Sequence, residues 1–262
     1  MASLSSNTKS IILILIAVSL IVATTFLEPI PQDPQYHQFA DQRSFFDIPN
    51  TLDVTSNLFF ALIGISGLFH LCVRRSLLIV QSLLPVYVLF FVALVAIAPG
   101  SVYYHWNLDN QSLAWDRLPM TLVFMSFFSI IIGERVSQRL AKLIFLPLLI
   151  VGVWSIVYWY QGESTGHGDL RPYGLVQYLP MLLIPLILLS FKPKFSSDRA
   201  IWWFCGCYLI AKGFELLDHQ IFDFLGIISG HSLKHLVASI GCLIYLKYLR
   251  YRTVLDPELQ SH

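Results

Sequence analysis

The sequence is poor in charge. Only 13% of its 262 residues are Asp, Glu, Lys or Arg, where a soluble domain carries about 25%. Hydrophobic residues make up 56%, against about 45–50% in a soluble chain. Such a surface cannot be solvated by water throughout, so soluble enzyme folds are excluded. An excess of one charge sign is also missing. The net charge is +1, and no field points to nucleic acid or to an acidic partner. Cysteines are few, and Cys72, Cys205, Cys207 and Cys242 all fall inside apolar stretches, which argues against a disulfide framework. Cys205 and Cys207 have a poor metal spacing and read as helix packing. Low-complexity segments and internal repeats are absent.

What the chain does have is long apolar runs. Eight stand out, near 10–28, 52–73, 77–100, 116–133, 143–160, 174–191, 200–217 and 231–249. A spanning helix takes about 20 residues, so eight would occupy about 160 positions. The connections are then short and leave no room for a separate soluble domain. The expected fold class is an all-α integral membrane protein built as one helical bundle. The run from Ile11 to Phe26 follows Lys9 and has the look of a secretory signal peptide. Ala23-Thr24-Thr25 is a poor cleavage site, however, and an uncleaved signal anchor is the better reading.

Basic residues collect in cytoplasmic loops. If the spans alternate, Lys9, Arg74, Arg75, Arg135, Arg139, Lys142, Lys192, Lys194, Arg199, Lys247, Arg250 and Arg252 all fall on one side. Arg43, Arg117 and Arg171 fall on the other, while Lys212 and Lys234 lie within spans. Both termini are therefore expected in the cytoplasm. The opposite face receives the loops 29–50, 101–116, 161–171 and 218–230, with His37, His105, His167 and His219 among them.

Ionisable groups at or inside a bilayer edge are costly and are functional candidates by default. Three clusters meet that description: Gly100-Ser101-Val102-Tyr103-Tyr104-His105, Trp115-Asp116-Arg117-Leu118-Pro119-Met120 and Gly230-His231-Ser232-Leu233-Lys234-His235. All three sit at the same, non-cytoplasmic face in this topology. His231 and His235 are four apart, so on a helix both imidazoles project from one side. A third histidine from another helix would complete the three-ligand pattern of catalytic zinc, and His105 is the natural third. Ser101 shares the face of His105, and Asp116 is placed to take a proton from a metal-bound water or to orient an imidazole. Other readings stay open at this point. His105 with its aromatic neighbours makes an interface anchor, Asp116 with Arg117 makes a helix-start cap and local ion pair, and the histidine pair fits a bis-histidine haem badly. Lys212, Glu215 and Asp218 outline a transporter's charged path, or Lys212 and Glu215 a self-neutralising pair. His70 and His167 read as interface and loop residues.

Taken together, Gly100-Ser101-x-x-Tyr104-His105, Asp116-x-Leu118-Pro119-Met120 and Gly230-His231-x-x-x-His235 resemble the alkaline ceramidases. These belong to the CREST superfamily of membrane hydrolases, with lipid-remodelling enzymes and adiponectin-type receptors. Ser56-Asn57-Leu58 is similar to the family's first core helix, and Leu217-Asp218 before Ile221-Phe222 to the segment ahead of its last histidine pair. The resemblance covers about residues 41 to 250. It implies a seven-helix CREST-like bundle over 52–250, to which the chain adds an extra transmembrane helix in 1–30, an outer interfacial segment over 31–51 and, by the topology above, a cytoplasmic tail over 251–262. It implies zinc on His105, His231 and His235, catalytic roles for Ser101 and Asp116, and hydrolysis of the ceramide amide to a sphingoid base and a fatty acid. The partner implied is a membrane lipid. The chain departs from the family in having Ser232, Leu233 and Lys234 between the paired histidines, where the ceramidases favour aromatics. Lys234 either snorkels to the interface or meets an anionic head group, which would shift the substrate toward a phospholipid or another acyl lipid. Some members bind calcium through an acidic N-terminal segment; here Asp41-Gln42-Arg43 places a cation in that region, and calcium stays open. A seven-helix receptor with a structural zinc is the non-enzymatic alternative, against which the short tails weigh.

Overall fold

The computed structural model describes residues 4–255. Ten α-helices follow in order: α1 (Ser6–Thr25), α2 (Thr51–Ser56), α3 (Leu58–Leu68), α4 (Leu84–Trp106), α5 (Asn110–Arg135), α6 (Gln138–Ser164), α7 (Arg171–Ser190), α8 (Arg199–Leu216), α9 (Asp218–Leu225) and α10 (Gly230–Tyr251). Among the described residues there is no strand, only two isolated bridges. Six spans are long and apolar enough to cross a membrane, or seven if α8 and α9, bent by 77° at their break, count as one. This is compatible with a multi-pass membrane protein. Against the eight expected runs, the difference lies at the C-terminal end of the chain. The 22-residue α10 is long enough to cross, but its first turns carry His231, Ser232, Lys234 and His235 in place of apolar side chains.

Apolar exposure distinguishes the helices. No residue of α1 is buried; it lies against α7, and Arg171 donates to the Leu27 carbonyl just beyond its end. The core lies among α3, α4, α5, α8 and α10, where Phe90, Phe127, Phe204 and Tyr245 pack ring on ring. Edge-to-face pairs of this kind add to plain burial, as in Phe127 and Tyr245 with centroids 5.0 Å apart.

Two expected loops turn out to be helical. The 101–116 connection shrinks to residues 107–109, because α4 continues to Trp106 and α5 starts at Asn110. Asp109 caps α5 by accepting from the Ser112 backbone N–H at 2.7 Å, and its own N–H reaches Ser112 Oγ, a capping box that satisfies donors otherwise left bare at a helix start. The 218–230 connection holds α9. Hydropathy follows only the apolar middle of a helix, and here polar ends prolong helices past it.

At one end of the bundle Arg252 folds inward. Its guanidinium forks onto Glu134 at 2.7 and 3.0 Å, lies 3.7 Å from the Phe195 ring centre, and donates to the Leu78 carbonyl. Tyr87 donates its hydroxyl to the same Glu134. Thr253 pairs with Ser196 across to the α7–α8 connection. The expected tail over 251–262 is thus pinned as far as Leu255, and its remainder lies outside the described residues. The site sits at the opposite end, where α4 finishes and α5 and α10 begin.

Candidate metal centre

Two glycines allow the helix ends to converge. A Cβ on Gly100 would stand 2.5 Å from the Trp115 carbonyl oxygen. Only glycine lets the last turns of α4 lie this close to α5, which brings Ser101 and His105 alongside Asp116. Gly230 does the same for α10, since a Cβ there would collide with the Phe214 carbonyl and the Asp218 backbone. Ser229 caps α10 by accepting from Ser232 N–H at 3.0 Å, and Asp218 accepts from His231 N–H at 2.7 Å. Two of the orphan donors of that helix start are thereby satisfied.

His105, His231 and His235 are all buried, and one ligand atom from each lies within 4.8 Å of the others. Ring centroids are 4.7 Å apart for His231 and His235, 4.9 Å for His105 and His231, and 5.5 Å for His105 and His235. The three expected ligands therefore meet, and this group could hold a metal ion. His105 supplies a test of fit: it is wholly buried, and neither ring nitrogen has a hydrogen-bond partner. A buried imidazole without partners is costly, and an ion shared with two facing imidazoles removes that cost. Among the described residues no other cluster of three His, Cys, Asp or Glu meets the same geometry.

The surroundings hold one ring atom of His235. Ser56 donates its hydroxyl to the Asp53 carbonyl at 3.1 Å and faces His235 Nδ1 at 2.9 Å. That contact engages Nδ1 of His235, while Nε2 makes no hydrogen bond to the protein; a polar group on the far ring nitrogen is the usual way a ligating imidazole is oriented. The Asn57 amide lies 3.1 Å from the same Nδ1. The Asp53 carboxylate accepts from Ser232 at 2.5 Å and Ser229 at 3.3 Å, and so ties α2 to the first turn of α10. Asp53 was missed in the sequence. Asp53, Ser56 and Asn57 stand at helical spacing in an apolar run, and that polar stripe was the available signal.

Ser101 is buried, and its hydroxyl is turned toward the Asp116 carboxylate without a hydrogen bond of ordinary length. Asp116 does not cap a helix, since it lies within α5, and it makes no ion pair with Arg117. Arg117 instead donates to Gln32 at 2.8 Å and sits over the rings of Trp159, Tyr173 and Tyr36. Asp116 is left facing a cavity of about 120 Å³, which His235 and Asn57 also line and which Phe60, Leu94 and Phe124 wall on the apolar side.

A cover closes over the histidines. Phe39 packs on His231 and His105 with centroids 4.2 and 4.8 Å away. Its segment is held by Ala40 N–H to Asp218 at 2.9 Å, by His37 to Tyr104 and Asn110, and by Asn50, which donates to the His105 carbonyl at 2.8 Å. Arg43 forks onto Asp41 at 2.7 and 2.8 Å and reaches the Ile227 carbonyl. The cation expected near Asp41 is thus this guanidinium, and it takes up both oxygens of that carboxylate. The charged path of Lys212, Glu215 and Asp218 is divided, because Lys212 pairs with Glu215 while Asp218 is turned to Ala40 and His231. His167 lies in an exposed turn, and His70 contacts Ser76 and Arg250 far from the trio.

Fold and site together define a helical bundle of the membrane type with a buried three-histidine centre beside a largely apolar cavity. No protein family, curated protein or solved structure matches the chain.

Proposed function

We propose that the chain is a zinc-dependent hydrolase of membrane acyl lipids, cleaving the amide of a ceramide-like substrate to a sphingoid base and a fatty acid. The resemblance to the alkaline ceramidases suggests the reaction. The observation that carries it is the buried trio His105, His231 and His235, with both His105 nitrogens unpartnered, next to a cavity lined mainly by apolar side chains. Zinc on three neutral imidazoles supplies a Lewis acid that brings the pKa of its water to about 7 and polarises an acyl carbonyl. Ser101, one turn before His105, offers an unused hydroxyl to the carbonyl oxygen as negative charge develops there. Asp116 accepts the proton of the attacking water and returns it to the leaving nitrogen. Phe39 and its segment keep bulk water from the centre.

The hydrocarbon occupies the apolar part of the cavity. α7 packs on α1, α5 and α6, and α8 packs on α10, while α7 and α8 pack at most weakly on each other. Lipid chains therefore reach the cavity sideways from the bilayer. We place the centre on the non-cytoplasmic face, a reading supported by the distribution of basic residues along the chain. A receptor with a structural zinc would share the trio but leaves Asp116 and the cavity without a task.

The test is elemental mass spectrometry beside fatty-acid release, on wild type and on His231→Ala/His235→Ala. The wild type is expected to carry about one zinc, and the variant to lose metal and activity together. Fatty-acid release by the zinc-free variant would overturn the mechanism. Zinc in the wild type with no cleavage of any acyl amide or ester would favour the receptor.

A further inference from the structure

Two lysines share one carboxylate on the cavity wall. Glu215 accepts from Lys234 Nζ at 3.0 Å, from Lys212 Nζ, and from the Tyr36 hydroxyl at 3.1 Å. Each ammonium has three N–H donors and no acceptor. The other neighbours of these ammonium groups are His231 Nδ1, 3.4 Å from Lys234, and the ring of Tyr178, 5.8 Å from Lys212. Lys212 thus has two donors without an acceptor and Lys234 one. Asp116, the other acidic group on this wall, forms no ion pair with either lysine. An ammonium N–H left without an acceptor among apolar side chains is costly.

We propose that Lys212 and Lys234 form the head-group subsite of this cavity, and that the acyl lipid bound there carries a phosphate. Three spare N–H donors arriving from two helices suit a tetrahedral anion with several free oxygens better than a two-oxygen carboxylate. Charge-assisted bonds of this type are the strong ones. The proposal deepens the hydrolase reading and rests on it: the acyl bond lies at the histidines while the phosphate lies at the lysines. It also gives a role to Lys234, the residue at which the chain departs from the family pattern.

The experiment measures binding of dodecyl phosphate, 1-dodecanol and inorganic phosphate to the full chain in neutral detergent. Metal is stripped by chelator, so that phosphate cannot bind through the ion. Dodecyl phosphate is expected to bind more tightly than dodecanol. Lys212→Met should weaken it about tenfold and leave dodecanol unchanged, while Lys212→Arg should retain most of the affinity. Failure of inorganic phosphate to compete marks a lipid head group as the source, and full competition marks a free anion at the same subsite. Equal binding of the two amphiphiles, or a preference indifferent to Lys212→Met, would overturn the proposal. A second arm follows hydrolysis of an N-acyl lipid with and without a terminal phosphate in phosphatidylcholine vesicles. If neither is cleaved while the binding preference holds, the hydrolase reading fails and the subsite stands.

Discussion

Gly100→Ala sets two effects of opposite sign against each other. Gly100 lies in the interior of α4, where alanine is normally stabilising by about 1 kcal/mol through helix propensity and a less free unfolded chain. In this bundle the added Cβ would stand 2.5 Å from the Trp115 carbonyl oxygen and 3.5 Å from the Asp116 Cα. Ordinary contact begins near 3.4 Å, so α4 must withdraw from α5 by about 0.9 Å. The obstacle is backbone on a capped helix and cannot swing away. Overpacking of this kind costs about 1–3 kcal/mol, so the net change is a destabilisation of up to about 2 kcal/mol. For a chain of this size that lowers the apparent melting temperature in detergent by up to about 8 °C. The same shift moves Ser101 and His105 away from Asp116. In the proposed hydrolase a displacement of about 1 Å at the reacting groups can cost about a hundredfold in rate, so kcat should fall far more than stability does. The assays are thermal unfolding followed by tryptophan fluorescence, and fatty-acid release under saturating lipid. A variant as stable as wild type or more so, with unchanged kcat, would refute the close approach of α4 to α5 as the reason for glycine.

Three further outcomes are expected. Ser56→Ala removes the hydroxyl that holds His235 Nδ1, so metal affinity measured by chelator competition should weaken by about 10–100-fold with the fold intact. Glu134→Ala leaves Arg252 buried without a counter-charge and should cost about 3–5 kcal/mol, read as a lower unfolding midpoint in detergent. Asp169 and Asp41 titrate below the usual carboxylate range: burial alone would raise them, but hydrogen bonds from Arg171 and Arg43 outweigh it. Depressed carboxylates contribute stability that is complete above the unfolded value of about 3.9 and is lost as pH falls through the folded value. Protection of residues 30–43 against hydrogen exchange, taken relative to the intrinsic amide rate at each pH, should therefore be unchanged from pH 7 to 5 and fall below about pH 4; protection undiminished down to pH 3 would contradict it.

The apolar runs located the long helices, because burial in lipid or core demands them whatever the packing. Their polar ends were less legible: residues 101–106 and 110–115 are helical, but their side chains serve the site and carry no hydropathy signal. The i, i+4 spacing of His231 and His235 pointed to a shared face, and His105 was drawn in by topology; the structure brings the three together. Asp53 and Phe39 could not be placed in the same way. One acts through two serines some 176 to 179 positions away, and the other through ring contacts. The polar stripe of Asp53, Ser56 and Asn57 marks its own helix face but not those distant partners, and a ring contact leaves no spacing in the chain at all. Asp116 and Arg117 show the converse, since adjacent opposite charges suggest a pair, yet helix geometry sends them to different faces.

The inward fold of Arg252 governs where the molecule can yield. Glu134, Tyr87, Leu78 and Phe195 gather on that one guanidinium, and Arg135 fastens the neighbouring connection through Asp198 and the Phe191 carbonyl. The helices are therefore clamped at their base, like the tines of a fork. Any splaying between α7 and α8 pivots there and is greatest at the far tips, where Tyr173 and Lys212 lie. A small angular opening at the tips would widen the cavity while the handle stays closed.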